Sequence, residues 1–71
     1  MSIDPKLPLY QKCEALCAKH PRLADDLRQI RNKAAVDAER GDLFAEKIGI
    51  QAMEDLVEGL SIRDVTAIYY G

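Results

Sequence analysis

The chain has 71 residues, of which 48% are apolar and 31% charged, with a formal net charge of −2. This length allows one domain with a small core, and the composition argues against disorder. Residues 1–40 hold eight Lys or Arg against six Asp or Glu, whereas residues 41–71 hold two against six. The net acidity does not favour a nucleic-acid-binding protein, and no apolar run is long enough to span a membrane.

The first residues predict no signal peptide. Asp4 and Pro5 stand where such a peptide needs a basic start followed by an apolar run. We therefore expect a cytoplasmic protein, in which Cys13 and Cys17 are free thiols and do not form a structural disulfide.

Prolines define the start of the chain. Residues 1–7 are predicted to form an extended arm, because proline disfavours helix in itself and in the residue before it. Pro8 instead suits the first turn of a helix, which we predict from Pro8 to Lys19. One face of this first helix is expected to enter the core, and it carries Leu9, Tyr10, Cys13, Leu16, Cys17 and His20.

A second helix is predicted to begin near Pro21 and to run to about Arg40. The rest of its surface, outside a narrow apolar line, is largely charged, which is typical of a helix that contacts the core on one side only. The apolar line consists of Leu23, Leu27, Ile30, Ala34 and Ala38.

The third predicted helix follows Gly41, which suits the left-handed position that ends a helix, and Asp42, which suits a helix cap. Apolar and small residues cover more than half of its circumference, although a surface helix needs an apolar arc of only about 100°. We therefore expect it to be covered on two sides, by its own neighbours or by another chain. The residues of this wide arc are Phe44, Ala45, Ile48, Gly49, Ile50, Ala52, Met53, Leu56 and Val57.

Gly49 has two interpretations. A glycine inside a helix costs about 1 kcal/mol relative to alanine, so it needs a structural reason. Either Gly49 lets another helix approach closely, which we favour, or it breaks the third helix in two.

The last segment, Ile62 to Tyr70, is ambiguous. Its β-branched and aromatic residues have a high strand propensity. Ser61 and Asp64, however, stand at the spacing of a capping box, and a lone strand would have no partner in this chain. We therefore predict a fourth helix.

Residues 43–50 (Leu-Phe-Ala-Glu-Lys-Ile-Gly-Ile) resemble the first helix and turn of helix-turn-helix regulators, in which a small residue precedes a glycine by four positions. The resemblance implies a turn at Gly49 and a DNA-reading helix after it. Residues 51–58, however, hold three acidic residues and no basic one. Residues 59–65 resemble the start of the same motif again. A nucleic-acid-associated regulator is therefore an alternative function.

Basic residues gather between Lys12 and Lys33, where six Lys or Arg stand against three acids. Arg28 and Arg31 lie beside each other on the second predicted helix and would bind phosphate in this alternative. Acidic residues interrupt the surface, and no aromatic residues alternate with the bases. A solvated face is therefore the favoured interpretation.

Cys13, Cys17 and His20 share one face of the first predicted helix, and all three are competent ligands for a soft metal. A structural zinc site needs a fourth ligand, and the thiols lack the two-residue separation of a redox pair. We favour the cysteines as small core residues. A thiol or metal sensor through Cys13 and Cys17 is the second alternative.

Together these patterns predict an all-α protein, a compact bundle of three to four short helices that dimerisation could complete. The favoured function is a small non-enzymatic protein–protein interaction module or regulator that self-associates, since the third helix has apolar surface to spare. We expect no catalytic residues, metal site, cofactor, membrane contact or small-molecule substrate, and nucleic acid is the less favoured partner. Because aromatic residues and methionine are enriched at interfaces, the predicted partner-binding residues are Phe44, Ile48, Met53, Leu56, Ile68, Tyr69 and Tyr70.

Overall fold

The computed structural model describes residues 7–71, so the predicted arm lies outside the described residues except for Leu7, which is already helical. Helices account for all regular structure in this range, and the all-α prediction is confirmed. The last segment is a helix, as predicted, and not a strand. The elements are α1 (Leu7–Lys19), a 3₁₀ helix (Pro21–Leu23), α2 (Ala24–Glu39), α3 (Ala45–Glu58) and α4 (Ile62–Tyr70).

The predicted apolar faces of α1 and α2 form one side of the core. Leu9 and Cys13 of α1 are fully buried, as are Leu27, Ile30 and Ala34 of α2. The other apolar residues of the α1 stripe are half-buried and pack against this cluster. The periodicity therefore identified the inward face of both helices correctly.

The second helix begins later than predicted. Pro21–Leu23 is a separate 3₁₀ turn in which the Leu23 N–H donates to the His20 carbonyl at 2.9 Å, and α2 starts at Ala24. Because proline has no N–H group, the 3₁₀ turn can start at Pro21 without an unpaired backbone donor there. The α-helix thus starts three residues after Pro21, the position near which its start was predicted.

Helix α3 is the centre of the fold, because it contacts α1, α2 and α4. Apart from Phe44, which is exposed, the wide apolar arc is buried or half-buried within the chain, so coverage by its own neighbours accounts for most of it. Its buried residues are Ala45, Gly49, Ala52, Met53 and Leu56.

Gly49 lies inside α3 and permits a close approach of helices. A Cβ atom built on Gly49 would lie 2.6 Å from Ala34 Cβ and 3.0 Å from Leu9 Cδ1. Neither contact is normal for a Cβ atom, so α2 and α1 reach the backbone of α3 at this point. The close-packing interpretation is confirmed.

The turn implied by the helix-turn-helix resemblance is absent. Helix α3 continues from Ala45 to Glu58 without a break at Gly49, and the alternative in which Gly49 divides the helix is wrong for the same reason. Gly49 serves close helix packing. The eight-residue pattern is the same whether its glycine permits a turn or a close helix contact, so the pattern alone does not separate the two.

The helix caps were predicted with mixed success. Gly41 has the expected left-handed φ of 98°, and Ser61 accepts a hydrogen bond from the Asp64 N–H at 3.1 Å. The Asp42 carboxylate accepts from the Phe44 N–H at 2.9 Å, so it closes a turn two residues before the N-cap position instead of capping α3. Aspartate side chains form such local turns readily and so compete with helix capping.

Gly49→Ala should destabilise the fold. Helix propensity alone would favour alanine by about 1 kcal/mol, but overpacking against Ala34 should exceed this and lower the free energy of unfolding by about 1–2 kcal/mol. The measurement is urea unfolding followed by far-ultraviolet circular dichroism. Ala34→Gly removes the obstructing methyl group, so the double variant should be more stable than the sum of the single changes. Additive effects would contradict the close approach.

Candidate interaction surface

The residues predicted to bind a partner do not share one surface. Met53 and Leu56 are buried in the core, where α1, α2 and α4 already cover α3. Ile48 is half-buried along the same helix. The side chains of Met53 and Leu56 are therefore engaged in contacts within the chain.

Phe44 and Ile68 are the exposed members of the predicted set, with 66% and 62% of their surface accessible. Leu43, which the prediction left out, is 90% accessible and directly precedes Phe44. Two large apolar side chains thus project side by side from the turn between α2 and α3. Paired exposure of this kind is more informative than a single exposed apolar residue.

Backbone hydrogen bonds hold this turn in place. The Gly41 N–H donates to the Ala38 carbonyl, and the Asp42 N–H donates to the Asp37 carbonyl, each at 3.1 Å. The Asp42 carboxylate then fixes the amide of Phe44. Because these bonds order the backbone, little conformational entropy remains to be lost there on binding.

A shallow recess of about 180 Å³ lies next to the exposed pair. Its lining is largely apolar and joins the end of α2 to the start of α3. Leu43 forms one wall of this recess, and the exposed Phe44 directly follows it in the chain. We call this combination, residues 38–46, the turn surface; the recess is lined by Ala38, Gly41, Asp42, Leu43 and Glu46.

Leu43 was missed because its role depends on where α3 begins. A helical wheel that starts at residue 44 counts Phe44 in the inward arc, but the structure places it at the N-cap, outside the helical repeat. The sequence signal for an exposed Leu43 was its place beside Phe44, directly after Gly41-Asp42 and before the first helical residue, Ala45.

Tyr69 joins α4 to α3. Its hydroxyl donates a hydrogen bond to the Asp55 carboxylate. This bond, with partial desolvation and the negative charge of Asp55, raises the pKa of Tyr69 above its ordinary value of 10.0. The Tyr69 side chain, which was predicted to bind a partner, therefore already makes a contact within the chain.

Tyr70 has a different environment. Its hydroxyl oxygen is the one buried side-chain polar atom within residues 7–71 that lacks a hydrogen-bond partner. Lys33 Nζ lies 5.7 Å from the ring centroid. Burial raises the pKa of Tyr70, and the negative charges of Asp37 and Asp42 raise it further. The ring also lines an apolar groove of about 300 Å³ between α2 and α4.

The basic surface considered for nucleic acid is partly neutralised. Three of its cations have a carboxylate within 4.0 Å, and ion pairs at such exposed positions contribute little stability but do reduce the local positive field. Arg31 instead lies 5.5 Å from the ring centroid of Tyr10. The pairs are Lys12–Glu54 at 3.2 Å, Lys33–Asp37 at 3.0 Å and Arg28–Asp25 at 4.0 Å.

The two thiols are close together, as their spacing on one face predicts. Cys13 Sγ and Cys17 Sγ are 3.9 Å apart, and both cysteines are free. Within residues 7–71, no three His, Cys, Asp or Glu side chains converge in a way that could hold a metal ion. His20, the third residue of the predicted face, is half-buried just beyond the end of α1.

None of the helices in residues 7–71 combines the length and the apolar character that crossing a bilayer would require. Comparisons with protein families, with curated proteins and with solved structures give no match.

Replacement by phenylalanine should affect stability differently at the two adjacent tyrosines. Tyr69→Phe removes the hydrogen bond to Asp55 and should lower the free energy of unfolding. Tyr70→Phe removes a buried hydroxyl group without a partner and should leave stability unchanged or raise it by up to about 1 kcal/mol. Urea unfolding of both variants provides the comparison, in which each variant is the control for the other. Equal losses in both variants would refute this assignment.

Stability should fall at alkaline pH. Since the folded-state pKa values of Tyr69 and Tyr70 are raised, the folded protein retains these protons when the unfolded chain has lost them. Their contribution is therefore complete below about pH 10 and is lost as the pH rises through the raised values. Unfolding measured from pH 8 to 12 should show a smaller loss for a Tyr69→Phe/Tyr70→Phe variant. Cys13, whose pKa is also raised, is present in both proteins, so the difference between them isolates the tyrosines. Identical pH profiles would contradict the prediction.

Proposed function

We propose that the protein is a small non-enzymatic interaction module that self-associates through the turn surface. The observation that carries this proposal is the paired exposure of Leu43 and Phe44 beside an apolar recess. Large apolar side chains that lie against a pocket of the partner supply most of the binding energy in many interfaces.

Two-fold symmetry gives a second copy of the chain a way to pair with this surface. In a two-fold symmetric dimer each protomer presents the same patch, so a projection and a recess on one protomer meet the recess and the projection of its partner. Phe44 of each protomer would then occupy the recess of the other. The fixed backbone of the turn favours such docking, because the contact residues are already ordered.

The charges of the turn surface require two copies to meet through their apolar atoms. Residues 38–46 contain one basic residue, Arg40, and three acidic residues, Glu39, Asp42 and Glu46. Contact between two copies therefore brings an excess of negative charge together, a repulsion that salt screens. Arg40 of one protomer can face an acidic residue of its partner across the symmetry axis.

The test is sedimentation equilibrium over a wide concentration range. The wild type should show a reversible monomer–dimer equilibrium, and Phe44→Ser should weaken it by about thirtyfold, the effect expected for a central anchor residue. The unfolding free energy of this variant should stay near that of the wild type, because Phe44 is outside the core.

Leu60→Ser is the matched control. Leu60 is also exposed, at 39%, and it lies in the turn at the other end of α3. This variant should dimerise like the wild type. A wild type that stays monomeric at all concentrations would contradict the proposal. So would a dimer that Ile68→Ser disrupts and Phe44→Ser does not, since the contact would then lie on α4.

A further inference from the structure

A cleft between α1 and α2 brings two thiols together with two guanidinium groups. It has a volume of about 320 Å³. Self-association through the turn surface does not involve this cleft, so a reaction in the cleft is independent of the proposed function. Its lining residues are Cys13, Glu14, Cys17, Arg28 and Arg31.

The two thiols differ in accessibility. Cys13 is only 1% exposed, whereas Cys17 is half-buried at the wall of the cleft. Burial raises the pKa of Cys13 to about 11, and the hydrogen bond to Cys17 raises it in the same direction. Since the thiolate is the nucleophile, Cys13 is inert near neutral pH. Cys17 is therefore the thiol that a reagent in the cleft can meet.

An internal disulfide between the two thiols is disfavoured. Side chains four residues apart on a helix have their Cβ atoms about 5–6 Å apart, whereas a disulfide requires about 3.5–4.5 Å. Helix α1 would have to unwind around Cys13, which is packed in the core. A small molecule joined to Cys17 by a disulfide would consequently not be displaced by Cys13.

Arg28 and Arg31 determine which reagents the cleft favours. Guanidinium groups bind carboxylates well, often through two hydrogen bonds. Arg28 lies 4.0 Å from the exposed Asp25 carboxylate, and Arg31 Nη2 donates to Asn32 Oδ1 at 2.9 Å, contacts that a ligand carboxylate can replace. Glu14 is the one opposing charge of the lining. Asp25 lies outside the lining and offsets part of the charge of Arg28. The lining itself holds two positive charges and one negative charge, which favours an anionic reagent over a metal cation.

We infer that Cys17 is a site of S-thiolation by small disulfides that carry carboxylates, of which glutathione disulfide is the representative. The Cys17 thiolate attacks one sulfur of the small disulfide, and the new sulfur–sulfur bond forms as the old one breaks. The other half leaves as a thiolate and takes up the proton that Cys17 has lost. The small disulfide is thus the oxidant: one half is reduced to a thiol, and Cys17 is oxidised to the mixed disulfide.

The first test is incubation with excess glutathione disulfide, followed by intact mass spectrometry and peptide mapping. The wild type should gain one glutathione, located on Cys17. Cys13→Ala should gain one as well, and Cys17→Ala none. An adduct on Cys13, or the loss of both thiols without an adduct, would overturn the inference. The peptide map of the wild type decides the site even if Cys13→Ala does not fold.

The second test compares glutathione disulfide with cystamine, a disulfide of similar chemistry that carries positive charges. Arg28→Gln/Arg31→Gln should slow the reaction with glutathione disulfide by about fivefold, as expected for two partly exposed charge contacts, and should not slow the reaction with cystamine. Glu14→Gln is the matched control and should accelerate the reaction with glutathione disulfide. Equal changes in both rates in the arginine variant would overturn the role of the cleft.

Discussion

The close approach of α3 to α1 and α2 at Gly49 positions the helices that form the core. Because Gly49 has no side chain, Ala34 and Leu9 reach the backbone of α3, and the core closes around small residues. This proximity lets short helices cover more than half of the circumference of α3. The apolar arc of α3 is thus largely covered by the chain itself, and the exposed apolar side chains lie in the turn that precedes this helix.

Helix α4 is attached by different means. It has nine residues and one fully buried side chain, Val65, so burial alone fixes it weakly. The Ser61 cap orders its first turn, and Tyr69 anchors its last turn to Asp55 of α3. Elements with few buried contacts open most easily in native proteins. The ionisation state of the tyrosines near the end of the chain therefore bears directly on how firmly the fourth helix is held.

The two proposed activities use surfaces of different chemistry. The turn surface offers exposed apolar area and an ordered backbone, which suit a contact chosen by shape. The cleft between α1 and α2 offers a half-buried nucleophile and an excess of positive charge, which suit a small anionic reagent. Arg28 and Arg31, first considered as phosphate ligands, gain their clearest chemical role from their position beside Cys17.

Periodicity and turn residues are local signals, and they were enough to predict four helices and the inward faces of α1 and α2. The fourth helix was predicted against its strand propensity, because a lone strand had no partner. Local signals also identified Gly41 as a left-handed residue and Ser61 as a cap. Contacts between helices are not local, and they bury Met53 and Leu56, leave Leu43 and Phe44 exposed, and bring two arginines of α2 beside the thiols of α1. This difference arises because periodicity gives the direction of a side chain around its own helix axis. Packing between helices that are distant in sequence sets how many neighbours surround that axis and how closely Gly49 lets them approach.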